Sequence, residues 1–316
     1  MSKVIVVGGG PSGMMAALTA AKNNHEVTLI ERNDELGKKL KLTGGGRCNI
    51  TNYRYIEEFF DKVVTNKKFL YSAFYSFTNE DLLNFLSESN LEYKVEKDND
   101  YKVYTKSDKA TELIYTFKEL LLNNNIKILY NSKVTDLIIN ENNKIEGVLL
   151  ENNQKVMGDK VIISTGGHSH SKTGSDGSMQ KIIKKHGHKI STPYPALSPL
   201  KIQEDWTRRL QGISFKNVEL SCKIKKKKIS KVGDLLFAHF GITGPVVLIM
   251  SSYINKILDN EVVELNLDIL PNISREEISK IIRENPNKNI ANNLKSILPL
   301  NFLKEILDLL NLSETK

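Results

Sequence analysis

Three glycines and one carboxylate open the chemistry of this sequence. Gly8, Gly10 and Gly13 stand in G-x-G-x-x-G spacing directly after a run of β-branched residues at positions 3–7, and an alanine-rich stretch follows to about residue 24. A second apolar run at 26–30 ends at Glu31, 18 residues past Gly13. The first glycine allows a tight turn after a strand, the second lets a diphosphate approach the backbone, and the third lets helix and strand pack closely. The helix dipole then points its positive end at the phosphates. A carboxylate at the end of the second strand can accept ribose hydroxyls and repels a 2′-phosphate. The competing assignment, plain turn glycines, is weakened by the strand–turn–helix–strand context within about 30 residues.

A second glycine cluster, residues 43–49 (Thr-Gly-Gly-Gly-Arg-Cys-Asn), follows Gly37, Lys38 and Lys39. Such a cationic, backbone-rich loop suits a diphosphate or an electron-rich ring. The alternative is a flexible surface loop. Cys48 and His239 are the candidate proton donors, because each lies in a glycine-rich block. Each also has a bland alternative, as a small buried loop residue for Cys48 and a hydrogen-bonded histidine for His239. His168 and His170 read as loop residues.

The elements that must position these groups follow from periodicity. Met14, Ala17, Leu18 and Ala21 share one small apolar helix face, able to press on a parallel sheet. Residues 55–123 read as mostly helical, with a hairpin over 92–104, and 126–130 reads as a third parallel strand. Strands at 134–139, 145–150 and 154–157 form a meander. The strand at 160–163 ends in Ser164, Thr165, Gly166 and Gly167, where an α/β sheet presents its ligand. Prolines at 193, 195 and 199 mark a boundary near 192. Residues 197–270 alternate like antiparallel strands, and 274–312 read as two or three helices, one of them over 301–310. The expectation is an α/β fold with a dinucleotide-binding Rossmann domain over 1–191, a helical insertion at about 55–123, and a mainly-β plus helical second domain over 192–316.

Composition excludes several classes. The 316 residues are 40% hydrophobic and 26% charged, which supports a packed core and argues against disorder. The apolar run at 246–250 is far short of the ~20 residues that span a bilayer. No leader-like pattern opens the chain, so a cytoplasmic setting without membrane association is expected. Two cysteines cannot build a disulfide framework, and no His/Cys cluster has metal-ligand spacing, so no metal is expected. The net charge of +8 invites a nucleic-acid reading, but only 7 of the 45 basic residues are arginine, the usual fork for bases and phosphates. The lysine run at 223–231 reads as an exposed hairpin, with a nucleic-acid partner the lesser alternative.

Taken together, residues 8–13, Glu31, 37–39, 43–52, 164–167, 173–177, 195–200 and 233–245 resemble the bacterial FAD-binding flavoproteins of the BaiN/YhiN-like type, also called aminoacetone-oxidase-like oxidoreductases. The resemblance covers essentially the whole chain. It implies a glutathione-reductase-like FAD domain with an inserted second domain. By position, Gly8, Gly10, Gly13 and the helix start at Pro11 and Ser12 would hold the pyrophosphate, and Glu31 with Arg32 the ribose. Lys39 and the loop of Gly44, Gly45, Gly46, Arg47, Cys48 and Asn49 would face the ribityl and flavin end. Val134 would meet the adenine through its backbone, and Thr165, Gly166 and Gly167 would return the chain to the cofactor. The implied activity is hydride transfer between NAD(P)H and a small organic substrate, with unsaturated bile-acid intermediates and aminoacetone among the family's proposed substrates. Oxygen-dependent oxidation and non-catalytic nucleotide binding are the alternatives.

The chain departs from the family pattern in three places. It has His170-Ser171 where the family has an aromatic-proline pair, and Tyr101 to Thr105 where the family has a Gly-Arg-Val-Phe-Pro type segment. The family's re-entry into the FAD domain after residue 312 is missing, so the expectation is a weakly held flavin ring.

Overall fold

The computed structural model describes residues 1–284 and 288–312, and divides into two compact units, Met1–Thr192 and Pro193–Lys316. The first unit begins with β1 (Lys3–Val7), α1 (Pro11–Lys22) and β2 (Glu26–Ile30). An irregular 3-10 turn, Leu40–Gly46, leads to β3 (Thr51–Asn52), α2 (Ile56–Lys62), α3 (Tyr71–Ser76) and α4 (Asn79–Glu88). Then come β4 (Tyr93–Glu96), β5 (Lys102–Thr105), α5 (Ala110–Asn123) and β6 (Lys127–Leu129). The unit closes with β7 (Val134–Ile139), β8 (Ile145–Leu150), β9 (Lys155–Met157), β10 (Lys160–Ile163) and α6 (Ser178–Lys185).

Four strands form a parallel sheet in the order β10-β1-β2-β6. β1 sits inside it and is apolar and buried from Val4 to Val7, because a central parallel strand is covered on both faces. Its residues split by strand alternation. Val4 and Val6 join Met14, Ala17 and Leu18 of α1 and Phe117 and Leu121 of α5 in one core. Ile5 and Val7 join Val134, Val148 and Leu150 of the antiparallel meander and Met179 of α6 in another. α1 therefore carries small residues because it lies directly on the sheet. An added Cβ on Gly13 would stand 1.8 Å from the Gly8 carbonyl oxygen, so only glycine permits this approach.

The 55–123 segment carries α2 to α5 and one hairpin. β4 and β5 form the expected hairpin, and β3 adds a third strand, in the order β3-β5-β4. At the other end of the unit, the Asp136 carboxylate on β7 accepts hydrogen bonds from Lys185 and, at 2.8 Å, from His186 Nε2, fastening the C-terminal end of α6 to the meander.

The second unit comprises β11 (Leu200–Lys201), α7 (Trp206–Arg209), β12 (Ser214–Ile224), β13 (Lys227–Ala238), β14 (Gly241–Thr243), α8 (Pro245–Ile254) and β15 (Leu265–Asp268). Helices α9 (Arg275–Glu284), α10 (Ile290–Leu294) and α11 (Leu300–Leu309) complete it. The sheet is antiparallel, ordered β11-β14-β13-β12-β15, and its core gathers Val218, Leu220, Leu235 and Phe237 with Val246, Val247 and Met250 of α8. α8 is a correction to the all-strand reading of 197–270. Its Val, Ile and Met residues look like a buried strand, and only Gly244 followed by Pro245 at the first helical position marks a helix start.

Candidate functional site

The candidate cofactor cleft lies at the carboxyl ends of β1, β2 and β10, within the first unit. It encloses about 270 Å³ and is lined by residues between Val7 and Met179. On one side are Gly8, Gly10, Pro11 and Ser12 of the glycine turn, with Glu31, Arg32 and Asn33 beyond β2. Gly37, Lys39, Val134, Thr165 and Gly166 face it as well, and Thr173, Gly174, Ser175 and Ser178 close the rim.

The glycine turn is shaped by backbone demands. Gly8 has φ +107°, and a Cβ there would meet the Ser164 carbonyl oxygen at 2.6 Å, so the turn can hug β10 only as glycine. Gly10 is different, since an added Cβ would meet nothing within 4 Å. Its backbone faces open space. Gly10 is also the N-cap of α1, and no side chain caps that helix. The first amides of a helix have no partner within it, so this end offers N–H donors and a positive dipole end to an anion. The residues present therefore fit a dinucleotide pyrophosphate: uncapped amides, a bare backbone in front of them, and space beyond.

Glu31 is buried, at 7% exposure, and accepts three hydrogen bonds from the protein. Oε2 accepts from the Gly9 amide at 2.6 Å, and Oε1 accepts from the backbone and side-chain nitrogens of Asn33 at 2.8 and 2.7 Å. A carboxylate has about four acceptor positions, so one, on Oε2, is left for a ribose hydroxyl. The sequence expectation assigned it both hydroxyls; the hydrogen-bond geometry leaves room for one.

Arg32 spends its guanidinium on the protein. Nη1 donates to the Gly174 carbonyl at 3.0 Å and to Asp176 Oδ2 at 2.8 Å. Asn33 Nδ2 donates to the Thr173 carbonyl at 3.1 Å. Together they clamp the 173–176 segment against the end of β2. Asp176 Oδ1 accepts from the Ser178 amide at 3.0 Å and its hydroxyl at 2.6 Å, which fastens the start of α6. Those Ser178 bonds, and then Arg32, hold the Asp176 carboxyl well below the usual carboxylate range.

Among the described residues Lys39 meets no carboxylate. Its Nζ donates to Ser169 Oγ at 3.4 Å, and partial burial pushes its pKa down. The other cations on the cleft are paired: Arg32 with Asp176, Lys38 with Asp34, and Lys133 with Glu151. Among the described residues, Lys39 is thus the cleft cation without a carboxylate partner.

The geometry does not bring every expected residue to this place. Gly13 packs against Gly8 behind the turn, and Gly167 lies beyond the lining. Gly44, Gly45, Gly46, Arg47, Cys48 and Asn49 also lie outside it. Gly44 and Gly45 adopt φ of +57° and +66°, and the loop they make closes on itself, with the Cys48 amide donating to the Thr43 carbonyl. Arg47 stacks on the Tyr104 ring at 4.0 Å and pairs with Glu96 and Asp108, which raises its pKa further. Cys48 is 2% exposed and part of the main core, and burial pushes its thiol pKa up, against the needs of a proton donor. His239 occupies the exposed two-residue turn between β13 and β14 in the second unit, its ring edge-on to Phe240. The sequence reading missed Asp176, Asn33 and Ser175. Asp176 was legible as part of the glycine-rich 173–177 block, but its partner Arg32 lies 144 residues away.

Among the described residues no His/Cys/Asp/Glu cluster could hold a metal ion, and no helix is long and apolar enough to cross a membrane. Both cysteines are free and buried.

Comparison with known proteins agrees with this architecture. The model of the HI0933-like protein Rossmann domain matches residues 2–243, and that of the HI0933-like protein barrel and H2TH domain matches residues 194–316. The chain is 24% identical over 317 residues to a 3-dehydro-bile acid delta(4,6)-reductase of Clostridium scindens, covering 98% of this chain and 75% of that protein. It is 28% identical over 302 residues to a ribosomal RNA dihydrouridine synthase of Haemophilus influenzae, covering 94% and 72%. Among solved structures, a flavocytochrome c3 fumarate reductase in its open conformation aligns with a TM-score of 0.49 at 15% identity, over 68% of this chain and 47% of that one, so the chain spans about half of its length. With family models matching from residue 2 to residue 316, the chain belongs to the HI0933-like family of FAD-dependent oxidoreductases.

Proposed function

We propose that this chain holds FAD in the first-unit cleft and reduces an activated carbon–carbon double bond of a small organic substrate, with NAD(P)H as electron donor. One observation carries the reading: the uncapped amino end of α1, bared by Gly10, opens on a cleft whose other rim holds Glu31. The Ser12 amide and the bare backbone at Gly10 bind the pyrophosphate, the remaining acceptor site of Glu31 takes a ribose hydroxyl, and the Val134 backbone borders the adenine. Lys39 places a positive charge where the ring end would lie, favouring electron-rich states there. When bound, FAD supplies the hydride chemistry. Residues 1–191 are then the cofactor domain and 192–316 the substrate-side domain. The names of the two relatives, a delta(4,6)-reductase and a dihydrouridine synthase, each describe saturation of a double bond, which supports that substrate class. The buried free cysteines suit a cytoplasmic setting.

The test is a visible absorption spectrum of the purified chain titrated with FAD, followed by anaerobic addition of NADH or NADPH. Saturable flavin binding and bleaching by a nicotinamide are expected. Absence of flavin binding overturns the reading. Bleaching by an organic substrate alone, with peroxide released on admitting air, marks an oxidase instead.

A second reading concerns how the substrate is presented. Five of residues 223–228 are lysine, Lys223 lies directly opposite Lys228 in the ladder, and Lys225 holds a left-handed backbone without being glycine. Like charges facing each other and a bulky residue in that turn both cost stability. An anionic partner would offset the cost, and one relative is named for ribosomal RNA. Salt-dependent retardation of an rRNA fragment, lost when the five lysines become glutamine, is the measurement that separates an RNA-borne substrate from a free one.

A further inference from the structure

We infer that Asp176 is a specificity-determining residue, which turns the cleft away from 2′-phosphorylated nucleotides by neutralising Arg32. The inference rests on the reading that the cleft takes an adenosine dinucleotide, and it goes beyond it by assigning a role to a residue that need not touch the ligand.

The argument begins with what stands beside Glu31. The next residue along the chain is an arginine, and both line the cleft. A guanidinium next to the ribose-binding carboxylate is what a 2′-phosphate requires, since arginine grips phosphate through two parallel N–H donors. Left free, Arg32 would therefore work against Glu31, attracting the group that Glu31 repels. The structure removes that contradiction. Nη1 of Arg32 is held by Asp176 Oδ2 at 2.8 Å and by the Gly174 carbonyl at 3.0 Å, so its charge is paired and both Nη1 donors are taken by the protein.

The clamp is built into the backbone around it. Gly174 has φ +104°, and a Cβ there would come within 3.0 Å of Arg32 Cδ and of Asn33 Nδ2, so glycine is what lets the arginine stem lie against this segment. Asn33 ties the same segment through the Thr173 carbonyl. Asp176 is itself immobilised, because its other oxygen accepts two bonds from Ser178 at the start of α6. A carboxylate fixed in this way presents a full negative charge across the pH range of the cell, as its depressed pKa also implies. One carboxylate, Glu31, thus lines the cleft, and a second, Asp176, pairs with Arg32 and cancels its charge. The result suits FAD, whose ribose carries no 2′-phosphate, and excludes NADP from the same cleft.

The test is a thermodynamic cycle by calorimetry on the full chain, with ADP and 2′-phospho-ADP as the two probes. The parent should bind ADP and discriminate against its 2′-phosphorylated form. Asp176→Asn keeps the size of the side chain and an acceptor for the Ser178 amide while removing the charge, and it should shift the ratio of the two affinities toward 2′-phospho-ADP by about tenfold. Arg32→Ala in the parent should leave the ratio almost unchanged, whereas Arg32→Ala added to Asp176→Asn should abolish the shift. Asp176→Ser serves as the second variant should the asparagine protein fail to fold. A charge-neutral variant that binds both probes more weakly by the same factor, with the ratio unmoved, overturns the inference and leaves the cofactor assignment standing. A parent protein that binds neither probe, nor FAD, overturns both.

Discussion

The two glycine-rich segments of the first unit have similar composition and opposite uses. In residues 8–13 the glycines exist for what comes close to them: Gly8 and Gly13 meet their own fold at contact distance, while Gly10 meets nothing and faces the cleft. In residues 43–49 the glycines exist for backbone shape alone. Gly45 and Gly46 would meet at most one atom near the limit of contact, yet both have positive φ, and the loop they form is anchored by Arg47 to Tyr104, Glu96 and Asp108. Glycine content therefore does not identify a ligand site. What identifies it is a bare backbone beside amides that no protein group satisfies.

The largest effect that would break this contrast is on stability. Gly13→Ala drives a methyl group into the Gly8 carbonyl and should cost about 3 kcal/mol or more, whereas Gly45→Ala strains only its own φ and should cost about 1 kcal/mol. Denaturant titration ranks the two, and a reversed order removes the close-packing account of the first segment. Next in size is the effect on cofactor. Gly10→Val should lower FAD affinity about a hundredfold while changing stability by less than about 1 kcal/mol, because the new side chain enters the cleft and nothing else. Fluorescence titration gives the first quantity and thermal melting the second.

Glu31→Gln sharpens the contrast from the other rim. It removes the charge while keeping most of the shape, and FAD affinity should fall by about 1–2 kcal/mol, less than for Gly10→Val. An unchanged dissociation constant would place the adenosine elsewhere. The smallest effect concerns the second segment. Since Cys48 is buried and its thiol pKa is pushed up, alkylation by iodoacetamide at mildly alkaline pH should be slow in the folded protein and become fast only on unfolding. Rapid labelling of the native chain, suppressed by FAD, would return Cys48 to the cofactor side.

Much of the first unit was legible in the order of its residues. The βαβ opening, the third parallel strand, the hairpin and the meander each follow from period-two or period-3.6 patterns bounded by turn residues, and the strand expected at 160–163 is present, paired in parallel with β1. Two things were not legible. Helix α8 hides because a fully buried apolar helix and a buried strand share the same residue types, so only its Gly-Pro start distinguishes it. The fate of Arg47 and Arg32 hides because their partners lie 49, 61 and 144 residues away, and no local pattern tells a ligand-binding cation from one already paired.

Helix α6 can be viewed as a strut pinned at both ends by carboxylates from different parts of the unit. Asp176 pins its beginning through Ser178, and Asp136 pins its end through Lys185 and His186. Ser178 and Met179 form part of the cleft between those pins. The bonds to Lys185 and then His186 depress the Asp136 pKa from 3.8 to about 2, and Asp176 is depressed as well. A depressed carboxylate contributes stability that is complete above its unfolded pKa and is lost as pH falls through the folded one. Both pins therefore keep their full contribution above about pH 4 and lose it only in stronger acid, each as pH falls toward its own folded pKa. The wall of the cleft thereby carries an acid-labile fastening at each end of one helix, and ligand affinity should weaken in strong acid.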